Sequence, residues 1–124
     1  MASVKLDGAG AQKMKTLEEA LITLQQIHGL VERMAMDIKN QKGAGVVPMQ
    51  IKRAAAPLVG MLKGQFGMIA DQVSTMILIG GRGGGDMVKL RSYREQVAQL
   101  RTAIDMAGAK VKKDHAVEIE LAPE

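Results

Sequence analysis

Three stretches of this chain carry apolar residues at steps of three or four, and that spacing constrains the fold more than any other feature. In the first, Leu17, Ala20, Leu24, Ile27, Val31, Met34 and Ile38 fall along one side of a helix with about 3.6 residues per turn. In the second, Leu58, Leu62, Phe66, Ile69, Val73 and either Met76 or Ile77 do the same. In the third, Leu90, Tyr93, Val97, Leu100, Ile104, Ala107 and Val111 continue without a break. Helices striped in this way must bury the stripe against one another. The pattern predicts an all-α fold, an antiparallel bundle of three main helices.

Breakers and caps set the expected limits. The first helix is expected from Met14 to Lys39, with Thr16 and Glu19 at capping-box spacing and a stop in the Asn40–Gly45 stretch. The second runs from Pro48 to Ile79 and is expected to break or kink at Pro57, where the chain lacks an N–H. The third runs from Met87 to Lys113, with Asp86 as its cap. At about 1.5 Å per residue the first and third would each span roughly 40 Å, which suits side-by-side antiparallel packing. The domain organisation follows as an arm over residues 1–13, a bundle over 14–113 and an acidic tail or short strand over 114–124. Val117, Ile119 and Leu121 alternate with Glu118 and Glu120, and Val4-Lys5-Leu6 has the same alternation. Lys5 would face Glu118 or Glu120 if the two ends paired. Irregular tails are the competing reading.

Composition removes several classes of chemistry. The 124 residues include no Cys and two His, so thiolate metal sites and cysteine nucleophiles are excluded. His28, with Glu32 one turn on, is an incomplete metal site unless symmetry supplies further ligands; packing or an interface is its expected role, and His115 is expected to lie in solvent. No metal, cofactor or catalytic residue is assigned. The Gly80–Gly85 run is followed by Asp86-Met87 where a phosphate loop needs Lys and a hydroxyl residue, so it reads as a linker. Residues 58–80 are long enough to cross a bilayer, but Lys63 and Asp71 sit inside them, each costing about 2.5–3.5 kcal/mol at the centre. Stable membrane insertion is not expected. Residues 1–30 lack the plan of a signal peptide, which leaves the cytoplasm as the default location.

The apolar surface exceeds what three helices can hide, and this excess predicts a homo-oligomer. Gly60, Gly64, Gly67, Phe66, Met61 and Met68 are the expected interface. Asp71 interrupts an apolar segment, and Arg94 or Arg101 is its expected partner. The leading functional expectation is a non-enzymatic helical scaffold or adaptor that self-associates and binds a protein partner. The first alternative is a nucleic-acid-associated protein using the basic third helix through Lys89, Arg91, Arg94, Arg101, Lys110, Lys112 and Lys113. The second is a metal- or ligand-carrying bundle centred on His28 at a symmetric interface.

Overall fold

The computed structural model describes residues 2–121 and is mostly helical. In chain order it contains strand β1 (Ala2–Leu6), helix α1 (Gly8–Lys39), α2 (Val47–Lys63), α3 (Gly67–Leu78), a single 3-10 turn (Ile79–Gly81), α4 (Asp86–Asp114) and strand β2 (Ala116–Leu121). The described chain thus forms four helices where three main ones were expected. The extra division falls at Gly64–Phe66 rather than at Pro57.

That relocation has a physical reason. Pro57 lies inside α2 on its exposed side, where the Arg53 carbonyl it leaves without a helical donor is open to water. At Phe66 the backbone leaves the helical region, with φ −134° and ψ 58°, while Gly64 before it keeps helical angles, so the break is made at Phe66 itself. The chain then reverses. Gly80, after α3, lies against Pro48 at the start of α2, so α2 and α3 form an antiparallel hairpin. This hairpin packs on the long pair α1 and α4, with α2 beside α1 and α3 beside α4.

The expected stripes supply most of the core, with Ile38, Phe66 and Ala107 only partly buried and Ile51 added from outside them. Leu24, Ile27, Val31 and Met34 of α1 are fully enclosed, as are Ile51 of α2, Met76 of α3 and Tyr93 of α4. Each buried aliphatic side chain contributes about 1.5–3 kcal/mol by leaving water. Burial also pushes the Tyr93 phenol above its ordinary value. Met106, beside the buried stripe of α4, is exposed.

Helix α1 begins six residues before the expected Met14. Asp7 caps it, its Oδ1 accepting from the Gly10 N–H at 2.7 Å. Thr16 is not a cap; it is buried within the helix, its hydroxyl donating to the Gln12 carbonyl. Nor does Asp86 cap α4. Gly85 holds that position, and the Asp86 carboxylate reaches across to accept from the Ala44 N–H at 3.0 Å, pinning the α1–α2 loop. In that loop Gln41, Gly43 and Gly45 adopt positive φ.

The two ends of the chain do pair. β1 and β2 form an antiparallel ribbon with Lys5 opposite Glu118 and an irregularity between Lys5 and Leu6. Part of the expected tail, residues 122–124, lies outside the described residues. No helix among the described residues is long and apolar enough to cross a membrane.

Candidate docking site

The outer turns of α1 and α4 run past the tip of the α2–α3 hairpin, and the step between them is a notch of about 670 Å³. Phe66, Ile69, Ala103, Met106, Ala107 and Val111 give it apolar walls. Lys13, Lys110, Asp114 and His115 stand along its outer edge, and Gln65 and Gln72 along the hairpin. The local cause is the turn at Gly64–Phe66. It ends the hairpin while α4 continues through Asp114, so the last turns of α4 have no helix across from them on that side.

Two methionines flank the notch in water. Met68 is 85% exposed and Met106 68% exposed. An unbranched thioether adapts to irregular partners at low conformational strain. Gln72 also lines a shallower groove running on between α3 and α4 past Ala98, Gln99 and Thr102. Its Oε1 is buried without a hydrogen-bond partner among the described residues, which is costly unless a donor reaches it.

His115 makes the edge of the notch a structured one. It ends α4, its N–H donating to the Val111 carbonyl, and its own carbonyl accepts from the Asp7 N–H at 3.1 Å. Its ring lies over Gly10, where a Cβ would collide with the His115 side chain. Nδ1 is 3.0 Å from Asp7 Oδ1 and Nε2 is 3.1 Å from Lys13 Nζ. Because Lys13 can only donate, Nε2 accepts and Nδ1–H donates to Asp7 in the neutral ring. Asp7 is held below the usual carboxylate range, first by the Gly10 N–H and then by His115 and Lys13. His115 was expected in solvent. The signal that places it is tertiary: its partners are 108 and 102 residues away.

The residues expected at an interface divide into two groups. Phe66, Gly67 and Met68 line the notch. Gly60, Met61 and Gly64 lie on the open face of α2, where nothing among the described residues comes within 4 Å of a Cβ built at either glycine. The basic residues expected on nucleic acid divide too. Arg94 donates from Nε and Nη2 to both carboxylate oxygens of Glu32, at 3.1 and 3.0 Å, and holds that carboxyl below its ordinary value. Lys89 donates to the Gly80 carbonyl at 3.2 Å. Arg91, Arg101, Lys110, Lys112 and Lys113 are exposed around α4. Arg94 therefore does not reach Asp71, which lies exposed on α3. His28 is exposed on α1, and among the described residues no three His, Asp or Glu side chains converge as a metal site would require.

Compared with protein-family models, with curated proteins and with solved structures, the chain matches none.

Proposed function

We propose that the protein is a non-enzymatic helical scaffold or adaptor subunit that associates with itself and holds a protein partner. The observation that carries this reading is the notch, an open apolar site with two exposed methionines at its mouth. Sites of this size and lining accept a side-chain cluster or an amphipathic helix from another chain. The open Gly60 and Gly64 face of α2 is a second place where a helix of another copy could approach closely. The nucleic-acid alternative draws less support, because Lys89 and Arg94 are already engaged within the chain. The metal-carrying alternative rests on His28 alone and would need ligands from another copy.

Light scattering on the purified protein at micromolar concentration tests self-association. A dimer or larger closed assembly is expected, weakened by Met68→Asp together with Met106→Asp. A wild-type protein that stays a protomer removes the self-association. Retained assembly in the double variant removes the notch as its site.

A further inference from the structure

The other end of the bundle has a different character. Here the α1–α2 loop, the start of α2, the end of α3 and the start of α4 meet around a cleft of about 650 Å³. Residues 39–53 carry Lys39, Lys42, Lys52 and Arg53 and no acid. Residues 77–91 carry Arg82, Arg91 and Lys89, the last bonded to the Gly80 carbonyl, against the single acid Asp86, which is turned inward onto the Ala44 N–H. The rest of the chain holds ten basic and twelve acidic residues; one of those acids, Asp37, stands in the last turn of α1 beside this end, and with it counted here the excess positive charge of the molecule still lies at this end.

The same end exposes large aliphatic side chains. Val46 and Met49 at the start of α2 are 66% and 57% exposed, Leu78 at the end of α3 is 62%, and Met87 and Val88 at the start of α4 are each 58%. Val46, Met49 and Leu78 line the cleft itself, while Met87 lines the neighbouring groove between α1 and α4. No aromatic side chain accompanies them: Tyr93 is fully enclosed and Phe66 is at the opposite end.

We infer that this basic, apolar end docks on the surface of an anionic lipid bilayer. Cations would lie at headgroup level while the aliphatic tips enter the boundary of the acyl region, without any helix crossing it. Charge complementarity selects this occupant. Phosphate-backbone binding would use the cations but leaves the aliphatic tips without a role, and single-stranded bases would need an aromatic platform that is missing. Long Lys and Arg stems reach outward past apolar tips, which lets both sets engage one interface. The docking end lies at the far side of the molecule from the notch, so the two proposals stand or fall separately.

Vesicle co-sedimentation with the full chain tests the inference. The protein should pellet with vesicles of phosphatidylcholine and phosphatidylglycerol in equal parts, should not pellet with phosphatidylcholine alone, and should be released by added salt. Each cation neutralised, as in Lys52→Gln or Arg82→Gln, should weaken binding roughly fivefold. The exposed pair Met49→Ser and Leu78→Ser should weaken it further while leaving the thermal midpoint near wild type. Lys112→Gln with Lys113→Gln, remote from this end, should change it little. Failure to pellet with the anionic vesicles overturns the inference. So does equal loss in the Lys112/Lys113 control. Undiminished vesicle binding by the Met49/Leu78 variant, with full competition by duplex DNA, overturns it in favour of a general polyanion site.

Discussion

Replacing Gly10 and Gly29 by alanine, one at a time, asks whether the His115 clasp is a rigid part of the fold. Both glycines lie in α1, and helix propensity alone favours alanine by about 1 kcal/mol in an exposed helix interior. At Gly29 nothing among the described residues beyond the helix's own backbone lies within 4 Å of the added methyl, so Gly29→Ala should gain most of that amount. At Gly10 the new Cβ overlaps the His115 Cβ and would stand 2.9 Å from its Cγ. The ring cannot slide away freely. Its main chain is tied to Val111 and Asp7, and its nitrogens to Asp7 and Lys13. Forcing a methyl into such a space costs about 1–3 kcal/mol. The propensity gain is smaller in the first helical turn, so Gly10→Ala should be destabilising by about 1–2 kcal/mol. The two variants should then differ by about 2–3 kcal/mol, which for a chain of this size is a separation of roughly 8–12 °C in thermal midpoint. Urea titration followed by circular dichroism at 222 nm reads the difference. If Gly10→Ala is as stable as Gly29→Ala, the clasp yields at no cost and the reasoning fails.

Other perturbations follow from the same contacts. Asp7→Asn keeps an oxygen for the Gly10 N–H but removes the charge facing His115 and Lys13. Because the folded carboxyl lies below its unfolded value, its contribution is present above about pH 4 and is lost as pH falls through the lowered folded value. The stability difference between wild type and variant should therefore be flat above about pH 5 and shrink in acid; a difference independent of pH down to acid unfolding would contradict the assignment. Gly80→Ala should destabilise, because its Cβ would stand 2.9 Å from the Tyr93 hydroxyl oxygen and 3.1 Å from Pro48 Cβ. Tyr93→Phe should relieve part of that cost, and strictly additive effects in a double-mutant cycle would refute the contact. Glu32→Gln should cost less than about 1 kcal/mol, since both partners of the Arg94 pair are about half exposed, and the loss should fade in high salt.

The stripes of α1, α3 and α4 were legible because burial repeats with the helical period. Leu24, Ile27 and Tyr93 are enclosed where spacing put them. The position of the break was not. Pro57 is the more conspicuous residue, yet an exposed proline frees only a solvated carbonyl, whereas Gly64 and Gly67 bracket a true reversal at Phe66. Nothing in the apolar spacing marks Phe66, itself a stripe residue, as the place where the helix ends. The start of α1 was missed because Gly8 and Gly10 are poor helix formers; what holds them is Asp7 from below and the His115 ring from above, a contact across most of the chain. The notch was out of reach for the same reason. Phe66, Met68 and Lys110 were each singled out, but only the folded path of the hairpin and α4 brings them to one opening.

The ribbon joining the two ends also bears on the order in which the molecule assembles. Pairing Ala2 with Leu121 in an extended chain means closing a loop of nearly the whole protein, whereas each helix hairpin closes over a short connection. Once α1 and α4 lie side by side, their outer turns deliver the strands to one another and the remaining closure is short. The strands should therefore register after the helices have packed, and their amides should exchange with deuterated water sooner than those of Leu24 or Tyr93.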